Sequence, residues 1–451
     1  MTKDMTQGKP MKLILGFAVP MLFGYLFQQF YNLVDTLIVG RYLGVNSLAG
    51  VGSTGSINFL VIGFCMGTCV GFSIPVAQRF GAGDEAGLRK YVANCVWLGL
   101  AFAAVMTFLT VVFCRDILLL MDTPEDIMEY AYAYILVIFI GIPTVFLYNI
   151  LSGIIRALGD SRTPVIFLVI SSVTNIILDL LFIVRLQMGV AGAAWATVIS
   201  QGMSGVLCLV FIIKKFEILR ISREEWKPDI HLMGNLCGMG IPMGMQYSIT
   251  AIGSVILQTA VNGLGSAAVA SVTAAAKIGG FLMCPFEAMG STMASYGGQN
   301  VGARKLKRIK EGLFECIKLG AVYSVIAFVV AYFLGAPLGR LFLEKESVAA
   351  AGQIIDNVRL YLLINTAFYF LLALVNIVRF MIQGIGFPTF AVLAGVLEMV
   401  ARALVGLVLV PIWGFPAAAL GSPIAWLFAD AFLIPAFFHV YKKLKIQFGE
   451  E

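Results

Sequence analysis

Two aspartates, Asp35 and Asp179, interrupt runs that otherwise read as lipid-facing helix, "QQFYNLVDTLIVG" and "NIILDLLFIV". A carboxylate at the centre of a membrane helix costs about 2.5–3.5 kcal/mol on insertion scales, so each asks for a compensating role. Gln28, Tyr31 or Asn32, and Asp35 fall at spacings of three and four, forming one polar stripe on a helix that is apolar elsewhere. Asn175 precedes Asp179 by four residues and shares its face. Thr197 lies about as far after the next turn as Asp179 lies before it, so a helical hairpin sets the two at similar depth. Two carboxylates, an amide and a hydroxyl are hard oxygen ligands that suit Na⁺, and close carboxylates in a poorly solvated pocket equally suit proton exchange. The residue types alone leave H⁺ and Na⁺ open. The plainer reading is that Asp179 only hydrogen-bonds a neighbouring helix.

The second half carries different polar residues. Gln246, Thr250, Ser254, Gln258 and Asn262 follow one another at intervals of four, a hydroxyl-and-amide face suited to lining a cavity. Lys277 and Glu287 are further substrate-cavity candidates on the next helix. Glu398 and Arg402, four apart and opposite in charge, read as an internal structural ion pair. The two histidines, His231 and His439, sit beside charged segments outside the apolar runs, which argues against haem, zinc or a histidine proton relay. None of the eight cysteines forms a CxxC pair, so they are expected to pack and not to ligate. No cofactor is expected, and no metal beyond Na⁺ at the aspartates.

The elements that must hold these residues follow from bulk properties. The chain has 451 residues, 60% of them hydrophobic and 12% charged, and a mean hydropathy of +0.92, outside the range of soluble domains. Twelve apolar stretches separated by short polar segments predict twelve transmembrane helices. "MTKDMTQGKPMK" runs into the first stretch without a cleavage pattern, so that helix is expected to serve as the insertion signal. Basic residues gather in alternate loops and in the tail, which places both termini in the cytoplasm of a multi-pass protein of the cell (inner) membrane. The net charge of +6 is explained by that asymmetry, and no nucleic-acid partner is needed.

The sequence repeats itself. "GVNSLAGVGSTGS" (44–56) aligns with "GSAAVASVTAAAK" (265–277), and "QRFGAGDEAGLRK" (78–90) with "QNVGARKLKRIKE" (299–311), both at an offset of 221. "RALG" (156–159) falls over "QGIG" (383–386), and "GVAGAAWA" (189–196) over "GFPAAALG" (414–421). The expected organisation is an N-terminal lobe at 1–213 with the cation site, a cytoplasmic linker at 214–232 and a C-terminal lobe at 233–451. Six spans is an even number, so the all-α lobes are related by a pseudo-twofold axis along the membrane normal, with a cavity expected between them. Carried across the repeat, Asp35 meets Ile256 or Leu257 and Asp179 falls among 403–406, so the acidic pair exists in the first half alone. A pair required by the fold of each lobe would occur twice.

Two motifs mislead. "DEAGLRK" (84–90) matches the loop motif of major facilitator transporters except at its opening glycine, where Phe80 stands. "ALGDS" (157–161) approaches the GxGD motif of intramembrane aspartyl proteases, with Ala157 in place of the first glycine and Asp160 in a cytoplasmic loop.

Taken in order, "AVPMLFGYLFQQFYNLVDTLIVGRYLG", "QRFGAGD", "IIRALGDSRTP", "NIILDLLFIV", "GVAGAAWATVISQ" and "GGQNVGA" resemble the multidrug and toxic compound extrusion (MATE) family over about residues 12 to 440, specifically its prokaryotic damage-inducible-F-like branch. The resemblance implies a two-lobed antiporter that expels organic, cationic amphipathic compounds against an inward H⁺ or Na⁺ gradient. It assigns Asp35, Asn175, Asp179 and Thr197 to the cation site and adds Asn149 to the cavity of that lobe. The other bacterial branch keeps its acids on the seventh and tenth helices, where this chain has amides and hydroxyls. Small organic molecules and the bilayer are the expected partners, the chain is expected to be a monomer, and no enzymatic activity is expected. The alternatives are a lipid-linked precursor flippase of the same superfamily and an intramembrane aspartyl protease using Asp35 and Asp179 as a dyad.

Overall fold

Lipid offers no hydrogen bonds to the peptide backbone, so a chain this apolar satisfies its N–H and C=O groups within helices. The computed structural model describes residues 4–341 and 348–449, and all the regular structure among them is helical. The helices are α1 (Pro10–Leu43), α2 (Val45–Ser53), α3 (Gly55–Gly81), α4 (Glu85–Val112), α5 (Cys114–Leu120), α6 (Glu125–Ile140), α7 (Ile142–Ala157), α8 (Arg162–Asp179) and α9 (Val190–Lys215). They continue as α10 (Ile230–Asn262), α11 (Ser266–Gly302), α12 (Leu306–Leu341), α13 (Val348–Ala367), α14 (Tyr369–Gly384), α15 (Pro388–Leu404), α16 (Val410–Trp413) and α17 (Phe415–Phe448). Ten stretches are long and apolar enough to cross a membrane singly; the bent pairs α6 with α7 and α13 with α14 bring the total among the described residues to as many as twelve.

The repeat is visible in the irregularities. The fourth span bends by 46° at Gly141 and the tenth by 50° at Phe368. The fifth ends in a π-helical segment, Leu180–Arg185, and the eleventh contains another, Val405–Leu409. Three pairs of glycines hold positive φ at matching repeat positions: Gly44 (86°) with Gly265 (97°), Gly159 (87°) with Gly386 (105°), and Gly189 (63°) with Gly414 (66°). A side chain at such angles is strained, so the turns fix the residue type in both copies.

The chain packs as two units. The first holds Val19–Ser248 with the residues up to Gln7; the second holds Gly8–Ala18 and the chain from Ile249 onward. The divisions fall inside α1 and α10 and not in the polar stretch 214–232, because a helix of more than thirty residues extends beyond the neighbours that pack one of its ends. In the first unit Phe72, Phe102 and Phe146 meet ring to ring at 5.8 and 6.4 Å. There α3 and the start of α10 come unusually close: a Cβ on Gly71 would stand 2.5 Å from Gly240 Cα, and one on Gly67 2.7 Å from Met243 O. Glycines spaced by four on both helices permit that approach. In the second unit Phe286 joins Tyr323 and Tyr369, and Tyr369 joins Trp426, at 5.1, 5.4 and 6.0 Å. Outward residues such as Phe108 (66% exposed) and Leu407 (73%) are the lipid-facing complement of these cores.

The segment after α9 is tied down within the first unit. Trp97 Nε1 donates to the Trp226 carbonyl at 2.9 Å, Asn94 Oδ1 accepts from the Asp229 amide at 2.9 Å, and Arg89 Nε donates to Glu225 at 2.8 Å. The two misleading motifs are helix starts: Asp84 Oδ1 accepts from the Gly87 amide at 2.9 Å, and Asp160 Oδ1 accepts from the Arg162 and Thr163 amides at 3.0 and 3.1 Å.

Candidate coupling-ion site

The last turn of α8 carries Asn175 and Asp179, which are 2% and 0% exposed. Asp179 is the final α-helical residue before the π-helical Leu180–Arg185, a wider turn of the kind found at functional positions. From α1, the half-buried Asp35 stands within side-chain reach of the Asp179 carboxyl, and a hydrogen bond between two carboxyls would require a proton on one of them. Each aspartate also keeps a buried Oδ1 without a hydrogen-bond partner among the described residues. Asn175 completes the group best with its amide rotated: its nitrogen then donates to Asp179 Oδ2 at 3.2 Å and its oxygen accepts from the Thr197 amide at 3.2 Å. In the unrotated orientation it makes only a 3.4 Å contact with the Thr197 hydroxyl. That hydroxyl donates to the Ala193 carbonyl at 3.2 Å, leaving its lone pairs toward Asn175. Tyr31 of α1 and Tyr134 of α6 lie within electrostatic range of both carboxyls.

Four helices thus bring an oxygen-rich cluster together inside one unit. It can hold a proton between two carboxyls, or a small hard cation between carboxylate, amide and hydroxyl oxygens.

The remaining candidates are distributed. Gln28 and Tyr31 are half-buried on α1 and Asn32 is exposed. Asn149 is buried on α7 and donates to the Val145 carbonyl at 2.8 Å. Gln246 is buried on the part of α10 that belongs to the first unit. Thr250 belongs to the second, with a buried hydroxyl oxygen lacking a partner among the described residues. Lys277 and Glu287 are both exposed on α11.

Glu398 and Arg402 approach at 3.3 Å, but Glu398 also receives the guanidinium of Arg379 on α14. Asp430 of α17, 3% exposed, lies within electrostatic range of Arg379. Sequence reasoning missed Arg379, Asp430 and Tyr134. The signal for the first two was present, single charges inside the apolar runs "NIVRFMI" and "LFADAFL". Among the described residues no group of three or more His, Cys, Asp or Glu could hold a metal ion.

Duplicated sets of membrane helices, bent and π-interrupted at matching places, with a close carboxyl pair inside one set, define a polytopic membrane protein of the transporter type. The chain belongs to the MatE family, whose model matches residues 20–181 and, a second time, 242–408. It is 30% identical to the probable multidrug resistance protein YpnP of Bacillus subtilis (strain 168) over 78% of each chain. It is also 22% identical to the FAD transporter of Shewanella oneidensis over 75% of each. Among solved structures, an outward-facing MATE family transporter of the MOP superfamily superposes with a TM-score of 0.91, at 24% identity and with 99% of each chain covered.

Proposed function

We propose that this protein is a cation-coupled antiporter that exports organic, cationic amphipathic compounds by alternating access, with H⁺ or Na⁺ exchanged at Asp35 and Asp179. The observation that carries the reading is the close carboxyl pair, Asp179 buried and Asp35 half-buried, present in one half and absent from the other. Asn175 and Thr197 supply further ligands, and Tyr31 and Tyr134 wall the site. A cation can bias the first unit between conformations only through different affinities for the two, so cation and substrate alternate. The cavity candidates Gln28, Asn32, Asn149, Gln246, Thr250, Lys277 and Glu287 supply polar contacts to the substrate. Export of xenobiotics is supported by the multidrug-resistance name of the Bacillus relative; the FAD transporter marks a different cargo within reach of the fold.

The test is export of a fluorescent cationic dye from proteoliposomes under separately imposed Na⁺ and H⁺ gradients, for wild type and Asp179→Asn. Movement driven by one gradient and lost in the variant supports the antiporter and identifies the ion. Equal export by both proteins removes Asp179 from coupling.

A further inference from the structure

The second unit contains a charged centre that the carboxyl pair of the first does not use. Arg379, Glu398, Arg402 and Asp430 are all at most 6% exposed, and they come from three packed helices, α14, α15 and α17. Glu398 takes Arg379 on one oxygen and Arg402 on the other, the latter at 3.3 Å. Asp430 lies in the middle of α17, and neither of its carboxyl oxygens has a hydrogen-bond partner among the described residues.

Two arguments about Asp430 oppose each other. Charge balance favours its ionised form, because two guanidiniums face one glutamate. The missing hydrogen bonds disfavour that form, because a buried carboxylate without donors carries its whole desolvation cost. A modest movement of Arg379 from one carboxyl toward the other therefore decides which form is held.

Other groups near Asp430 do not remove the conflict. Tyr361 of α13 lies beside Ser422, two turns away on α17, and Tyr369 of α14 packs on Trp426, one turn before Asp430. The charged residues of α12 that meet α17, Lys310 and Glu311 among them, do so beside Tyr441 and Lys445, three turns farther along. The repeat offers no counterpart: at the offset that pairs Gly189 with Gly414, Asp430 falls on Gly205, and at the offset that pairs Gly159 with Gly386, Arg379 falls on Ser152. Each half nonetheless carries a π-helical segment close after one of its buried charges: Asp179 directly precedes Leu180–Arg185, and Arg402 stands three residues before Val405–Leu409.

We propose that Asp430 is a proton-binding site of the second unit, with Arg379 shared between it and Glu398. Asp430 takes a proton from water while Arg379 rests on Glu398, as here, and returns it to water when Arg379 turns to Asp430.

The test does not depend on transport. Dicyclohexylcarbodiimide modifies protonated carboxyls in apolar surroundings, and peptide mass spectrometry of the full-length protein in proteoliposomes locates the adduct. Asp430 in wild type should be modified, less so as pH rises. Glu398→Gln should release Arg379 to Asp430 and lower the labelling about tenfold at one pH, the effect of a one-unit change in proton affinity. If that variant fails to fold, Glu398→Asp, which shortens the competing carboxylate and keeps its charge, should lower the labelling in the same direction. Asp179→Asn should leave Asp430 labelling unchanged, so failure of the coupling-ion reading and failure of this one are distinguishable. Absence of the adduct at every pH, or identical labelling in wild type and a folded Glu398 variant, overturns the proposal.

Discussion

Arg89 on α4 donates through Nε to the Glu225 carboxylate at 2.8 Å, across 136 residues of chain, and the other Glu225 oxygen accepts from the Ser222 amide at 2.8 Å. The Ser222 amide first, and then Arg89, hold the Glu225 carboxyl below the usual carboxylate range. A depressed acid stabilises the folded state above its unfolded pKa and loses that contribution as pH falls through its folded pKa. The contribution of Glu225 to the docking of this segment is therefore present at neutral pH and is lost as pH falls through a value below the usual carboxylate range. Glu225→Gln should weaken it by about 1.5–3 kcal/mol. Amide hydrogen exchange of residues 220–229, corrected for its intrinsic pH dependence, should be faster in the variant than in wild type at neutral pH, and the two rates should converge in acid.

Asn175 bonds Asp179 on one side and the Thr197 backbone on the other. Asn175→Ala removes both bonds and leaves Asp179 with fewer donors, a loss of about 1–3 kcal/mol. If Na⁺ is the coupling ion it should then be needed at about tenfold higher concentration for half-maximal dye export, each 1.4 kcal/mol being tenfold; if H⁺ is, the lost donor favoured the ionised carboxyl, and half-maximal export should move to higher pH by about one unit. Asp35→Asn and Asp179→Asn should instead abolish the gradient dependence while the protein remains folded by circular dichroism.

The contact of α3 with the start of α10 leaves no room for side chains at Gly71 or Gly240. Gly71→Leu should lower stability by more than the usual 1–3 kcal/mol of overpacking, since backbone and not a movable side chain lies in the way. A fall in the midpoint of fluorescence-monitored thermal unfolding in detergent is the measure. Gly52, which has no heavy atom within 4 Å of its would-be Cβ, serves as the control position.

Gly189 and Gly414 begin α9 and α17 with nearly identical backbone angles, φ 63° and ψ −149° in one, φ 66° and ψ −138° in the other. Such angles cost other residues about 1–3 kcal/mol. Gly189→Ala and Gly414→Ala should therefore depress the unfolding temperature by similar amounts, and the double variant by their sum, because the sites belong to different packing units and a Cβ at either would meet no heavy atom within 4 Å.

Much of this was legible in the chain because it depends on local pattern. Apolar run lengths mark the spans, the offsets of 221 to 227 mark the duplication, and the spacing of four between Asn175 and Asp179 is a property of any helix. Glu398 shows where legibility stops. Its neighbour at the helical spacing, Arg402, was readable, whereas Arg379 is nineteen residues away on another helix and reaches Glu398 only through packing. Asp430 and Tyr134 were missed for the same reason: their meaning lies in the helix opposite. Packing also places the divisions between units inside α1 and α10, which hydropathy reads as uninterrupted helices.

The glycine pairs carry a genealogical consequence. Gly44 with Gly265, Gly159 with Gly386 and Gly189 with Gly414 reproduce the same turns in both halves, whereas Asp35, Asp179, Arg379 and Asp430 have no charged counterparts. Duplication of a half-length chain accounts for the shared turns, and divergence of the copies accounts for the unshared charges. The turns are what the two halves hold in common; the buried ionisable groups are what sets them apart.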